Sequence, residues 1–133
     1  MSDSIKLSIT LPVKPKKIYE AWLNSEKHSA LSGGIATIER KVGSNYSAWD
    51  GYITGQNILL HLNKRIIQSW RTTEFPEDSP DSQIEILLDN YKEGTKFTIV
   101  HSNLPEGDGK KYRKGWKEHY FAPMKSYFKE QQT

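Results

Sequence analysis

Three large rings recur at Tyr112, Trp116 and Tyr120, each four residues from the next. At that spacing they fall on one face of a helix. Lys110, Lys111, Arg113, Lys114 and Lys117 lie among them and make the rest of the helix basic. Met124, Tyr127 and Phe128 extend the apolar side beyond Pro123. A proline inside a helix removes one backbone donor and crowds the turn before it, so a kink or break is expected at Pro123. A helix with this much ring area on one side needs an apolar surface to cover.

The preceding hundred residues read as that surface. Ile5, Leu7, Ile9 and Leu11 alternate as a half-buried strand, ended by Pro12 and Pro15. Ile18, Tyr19, Trp22 and Leu23 recur at helical spacing, and Pro15 suits the first turn of that helix. A second short helix covers 25–31 and stops at Gly33-Gly34. Strands are then expected over 35–40, 46–49, 52–55, 58–62, 65–71, 82–89 and 95–103. Asp50-Gly51 signals a hairpin, and Asn63-Lys64 and 90–94 read as turns. Phe97, Ile99 and His101 share one side of the last strand. The order is strand, two short helices, a run of antiparallel strands, and one long helix. That is an α+β helix-grip arrangement, a curved sheet wrapped around its C-terminal helix, and such sheets often leave a cavity beneath the helix. The 133 residues suit one domain, 1–133.

Composition narrows the chemistry. Without cysteine there is no disulfide, no thiolate nucleophile and no Cys-based zinc site. His28, His61, His101 and His119 show no metal-ligand spacing, so no metal and no cofactor are expected. Ser102 has no base and orienting group at a recognisable interval, and Asp50, Glu85 and Asp89 form no acid–base pair. No catalytic residue is assigned, and the chain is read as a non-enzyme. No apolar run is long enough to insert in a membrane and no leader pattern opens the chain, so the expected location is cytoplasmic. The net charge of +3 is concentrated at the end: from Gly107 to Thr133 seven basic residues face three acidic ones. That excess is read as a solvated helix face rather than a nucleic-acid site.

The residues open to a binding role are Trp49, Trp70, His101, Tyr112, Trp116 and Tyr120. Aromatic walls with a few polar groups suit a small apolar or amphipathic ligand, although large rings also serve simply as core. His101 could orient a ligand or titrate near neutrality. More often a histidine so placed is a satisfied structural one, bonded for example to a tyrosine hydroxyl, and that reading is favoured.

An ordered series of segments resembles a known family. It comprises 18–22 (Ile-Tyr-Glu-Ala-Trp), Gly33-Gly34, 49–55 (Trp-Asp-Gly-Tyr-Ile-Thr-Gly), 66–71, 101–105, 114–121 and Pro123-Met124-Lys125. Together they resemble the Aha1-like (activator of Hsp90 ATPase homologue) branch of the START-like SRPBCC superfamily. The resemblance implies a START/Bet v 1-like fold similar to the C-terminal domain of the eukaryotic co-chaperone. It also implies an Hsp90-type chaperone as a possible partner, through regulation of its ATPase or a stress response. The co-chaperone has a further, N-terminal domain that makes a major chaperone contact, and these residues do not include its counterpart.

Overall fold

A computed structural model describes residues 2–131. The elements run β1 (Asp3–Leu11), α1 (Pro15–Trp22), α2 (Ser25–Ser32), β2 (Asn45–Ala48), β3 (Ile53–His61), β4 (Arg65–Thr72), β5 (Ser82–Tyr91) and β6 (Gly94–Leu104). The chain ends in α3 (Gly109–Trp116), a π-helical turn (Lys117–Phe121) and α4 (Ala122–Gln131). The six strands form one antiparallel sheet in the order β1-β6-β5-β4-β3-β2. Because β1 and β2 occupy opposite edges, α1 and α2 carry the chain across.

Strand register lines the inner face with rows of side chains. Leu7, Ile99, Ile86 and Ile66 are successive cross-strand partners and all are buried. The next row holds Ile5, His101, Ile84, Gln68 and Asn57. Each fully buried Ile or Leu contributes about 1.5–3 kcal/mol, so the apolar row dominates the stability of this face. The polar row survives because it is hydrogen-bonded. Trp22 Nε1 donates to Gln68 Oε1 (3.2 Å), and Gln68 Nε2 donates to Asn57 Oδ1 (2.8 Å). Asn57 Nδ2 in turn donates to the carbonyls of Glu39 (2.8 Å) and Lys41 (3.1 Å). A buried polar group left unpaired would cost about 1–3 kcal/mol.

Three expectations change. Residues 35–40 form no strand, only an isolated bridge between Thr37 and Ser47. Serines of α2 take over the backbone there. Ser25 Oγ accepts from Ile38 N (2.9 Å) and donates to Ile38 O (3.0 Å), and Ser29 Oγ accepts from Ala36 N (2.8 Å). Hydroxyls that pair locally with backbone compete with a ladder. Segments 52–55 and 58–62 belong to one strand, β3, whose register shifts between Asn57 and Leu59. This bulge keeps Asn57 buried and leaves Ile58 exposed. Finally, Pro123 does not break the terminal helix. The π turn precedes it, with Ala122 N–H bonded to Lys117 O. The wider turn relaxes the backbone where the proline ring would crowd residue 119, and both Tyr120 and Phe121 face inward.

Candidate functional site

The terminal helix covers the sheet in two ways. Along most of its length the contact is closed. Near the β2–β3 hairpin it opens into a cleft of about 360 Å³. Trp49, Tyr52 and Ile53 of the hairpin form one side, Trp70 of β4 the floor, and Tyr112, Trp116 and Tyr120 the helix side. Gly115 leaves the helix wall without a side chain between Tyr112 and Trp116. Lys111 and His119 also line the cleft and are exposed.

The hairpin is built to present Trp49. Tyr52 N–H bonds to Trp49 O (3.1 Å), with Asp50 (φ 55°) and Gly51 (φ 87°) in the left-handed region between them. Trp49 itself has φ 52°, an outlier for a bulky residue. Its indole lies against the glycine pair that ends α2. A Cβ on Gly34 would stand 2.5 Å from Trp49 Cε3, so only glycine admits the ring at that distance. Cε3 belongs to the benzo edge, which places Nε1 on the far side of the indole. That nitrogen is buried and has no hydrogen-bond partner. The ring of His119 meets Trp49 edge-on, with centroids 5.3 Å apart.

At the mouth, Tyr52 donates to Glu74 Oε2, and Lys111 Nζ donates to Glu74 Oε1 at 2.8 Å. Burial, then the Glu74 bond, push the Tyr52 hydroxyl up, whereas the hydrogen bond from Lys111, then that from Tyr52, hold the Glu74 carboxyl below its usual range. The Lys111–Glu74 pair is about half exposed, which makes it a weak contribution to stability. Tyr112 OH shares a hydrogen bond with Thr72 Oγ1 (2.8 Å), and Thr72 Oγ1 also accepts from Glu74 N (3.1 Å).

Behind the cleft, two histidines fasten the helix. Trp116 Nε1 donates to His101 Nδ1 (3.0 Å). The other nitrogen, Nε2, therefore carries the proton and donates to Ser82 Oγ (2.8 Å), whose hydroxyl donates to Trp70 O (2.6 Å). His28 Nδ1 faces the carbonyl of Trp22 (2.8 Å) and must donate; His28 Nε2 then accepts from Tyr120 OH (2.8 Å). Both rings are neutral with every nitrogen paired. Burial pushes His28 down to about 4 and His101 down to about 3.

The likeness to known proteins is continuous along the chain. Residues 12–129 match the family described as Activator of Hsp90 ATPase homolog 1-like protein. This chain belongs to that family. It is 27% identical over 128 residues to the Activator of 90 kDa heat shock protein ATPase homolog of Dictyostelium discoideum, matching 96% of this chain and 33% of that protein. It is 26% identical over 124 residues to the human Activator of 90 kDa heat shock protein ATPase homolog 1, matching 93% of this chain and 36% of that protein. The chain thus spans about a third of the length of the curated relatives it matches. Among solved structures, an HSP90 activator from Plasmodium falciparum superposes with a TM-score of 0.83 at 21% identity, covering 93% of this chain and 94% of that one. The Aha1 dimer from Colwellia psychrerythraea superposes with a TM-score of 0.79 at 19% identity, covering 95% and 96%. At these identities the structural likeness establishes the fold, the helix-grip architecture expected for the family.

Of the six residues singled out in the sequence, five line the cleft: Trp49, Trp70, Tyr112, Trp116 and Tyr120. His101 does not. It stands behind the wall, and its partners are an indole and a serine rather than a tyrosine. Its depressed pKa removes the expectation of titration near neutrality. The histidine that does bond a tyrosine is His28, which its sequence neighbours gave no reason to bury. Tyr52 and Glu74, which close the mouth, carried no signal beyond the hairpin and the loop that hold them. Among the described residues no group of His, Asp and Glu is placed to hold a metal, and no helix is long and apolar enough to cross a membrane.

Proposed function

We propose that this domain is a non-enzymatic binding module that takes one small apolar or amphipathic molecule into the cleft between the β2–β3 hairpin and the terminal helix. The observation that carries this reading is a half-open, aromatic-walled space of about 360 Å³ beside an otherwise closed core. That size lies at the small end of the roughly 300–1,000 Å³ common for ligand pockets. Side chains could fill the space more fully, and interiors usually are filled. Native mass spectrometry of gently purified protein, followed by solvent extraction, tests the reading. A stoichiometric adduct lost on extraction supports it. Clean apo mass, together with no binding from a library of apolar compounds, sinks it.

A second reading is favoured by the relatives: regulation of an Hsp90-type chaperone ATPase. Proteins named as activators of that ATPase match nearly the whole of this chain, and the Plasmodium falciparum activator is of similar extent. The basic outer side of α3, carrying Lys110, Arg113 and Lys114, suits an acidic partner surface. The test is the ATPase rate of the host's own Hsp90-type chaperone with the domain added. No stimulation, and no association at about 50 μM, would exclude it at the affinity of ordinary transient contacts.

A further inference from the structure

β1 is the outermost strand at one end of the sheet, and its strand partner is β6 alone. Among the described residues, 4–10 make no backbone hydrogen bond outside that ladder. Natural edges of this kind are usually short, bulged or interrupted by proline. β1 is nine residues long, holds no proline and shifts register only between Asp3 and Ile5. Its free side therefore offers N–H and C=O groups to one more strand.

The terminal helix starts on this edge. The N–H groups of Gly109 and Gly107 donate to Asp3 Oδ2 (2.8 and 3.1 Å), and a Cβ on Gly109 would stand 3.5 Å from Ile5 Cγ2. Arg113 and Lys117, at i+4 and i+8, stand over Gly109 on the same side of the helix. Lys110 joins them, since 110, 113 and 117 share one face at i, i+3 and i+7. All three are exposed. None has an ion-pair partner among the described residues, whereas Lys111 pairs with Glu74 and Lys114 with Glu118. The Asp3 carboxylate is taken up by the two glycine amides, and Glu106 and Asp108 stand on the loop before the helix. A row of free cations thus flanks a free strand edge. It lies across the helix from Lys111, Gly115 and His119, which face the cleft.

We infer that this edge is a docking site for an extended acidic segment of a partner protein, which adds to β1 as a further strand and sets its carboxylates against Arg113 and Lys117. In such additions main-chain hydrogen bonds supply affinity and side chains supply selection. A second copy of this chain is a poorer occupant. Antiparallel pairing of two β1 edges about a two-fold axis puts both helices on one face of the joined sheet, so the two cation rows oppose each other, with the exposed Lys6 of each strand near the seam. A nucleic acid would answer the cations, but its phosphates only accept and would leave the strand carbonyls unpaired. The site needs neither a cleft ligand nor a chaperone, so it is independent of both proposed functions.

The test titrates the whole protein with a synthetic peptide of about ten residues that alternates valine with glutamate, while backbone amide resonances are followed by NMR. Three further probes are its lysine-for-glutamate counterpart, the acidic peptide N-methylated along its centre, and a single-stranded oligothymidylate of equal charge. The acidic peptide should bind with a Kd below about 1 mM, and the shifts should gather on residues 4–10 and on Arg113 and Lys117. N-methylation should weaken binding at least about tenfold, and the lysine peptide should bind weakest. The exposed double variant Arg113→Gln with Lys117→Gln should bind the acidic peptide about fivefold less tightly at about 50 mM salt, and less than about twofold less tightly at about 500 mM. Equal binding of the N-methylated peptide would overturn strand addition, and equal binding of the lysine peptide would overturn the acidic preference. Tighter binding of the oligothymidylate would make the surface a nucleic-acid site instead. Concentration-dependent shifts of residues 4–10 without any probe would assign the edge to a second copy. No binding of the acidic peptide at about 1 mM, or shifts confined to other strands, would remove the docking site altogether.

Discussion

The two buried histidines show how far single residues could be read. The phase of β6 placed His101 on the helix side together with Phe97 and Ile99, and it is there, fully buried. Its role was not legible, because its partners come from Trp116 on the helix and Ser82 on another strand. His28 had no such phase, since α2 is too polar to show a buried face; its burial follows from Tyr120, 92 positions away. Both neutral rings carry a consequence for pH. Their folded pKa values, about 4 and about 3, lie below the ordinary 6.5. The unfolded chain therefore binds more protons as pH falls below 6.5, so the stability from both rings is whole above that pH and is lost as pH falls toward the folded values. Between pH 8 and pH 5 each histidine should remove about 2 kcal/mol. Urea unfolding at those two pH values should show the midpoint falling, and His28→Gln should remove roughly half of the fall. A midpoint that stays level would show that the rings are not held neutral.

Elements were easier to read than their contacts. Alternation located β1 and β5 because one face of each is buried while the other is largely solvated, the apolar residues Phe97 and Ile99 located β6, and Asp50-Gly51 located the hairpin. The failures were places where tertiary contact overrode pattern. Residues 35–40 look like a strand, yet Ser25 and Ser29 hold their backbone. The stripe Tyr112, Trp116 and Tyr120 located the helix but could not separate core from cleft, because one face serves both. The cleft depends instead on the close approach of α2 and the hairpin. Gly33 ends α2 with φ 90°, and Gly34 then admits the Trp49 ring. In Gly34→Ala the new Cβ would lie 2.5 and 2.6 Å from two ring atoms and 3.1 Å from Trp49 Cα. The hairpin must shift outward, at a cost of about 1–3 kcal/mol. Thermal melting and the fluorescence of Trp49 should both change. An unaltered spectrum and melting temperature would show that the ring does not rest on Gly34.

For the whole molecule, sheet and terminal helix form a closed core at one end and an open wall at the other. Trp22, Trp116 and Tyr120 join across the closed part, with ring centroids 4.9–6.4 Å apart, and the histidine bonds fix their geometry. Trp49 reaches the same helix from outside, on a turn only partly buried. Family membership follows from sequence along nearly the whole chain, whereas the cleft follows from how three distant segments meet. Unfolding free energies of Trp49→Ala and Trp116→Ala, measured side by side in urea, separate wall from core most directly. Trp116→Ala should lose about 3–5 kcal/mol, the cost of a large cavity in a packed interior, and should also strand His101 Nδ1. Trp49→Ala should lose only about 1 kcal/mol, since its ring borders open space and its nitrogen gives up no bond. Equal large losses would mean that the cleft is core in solution, and a small loss for Trp116→Ala would mean that the helix is not the keystone of the fold.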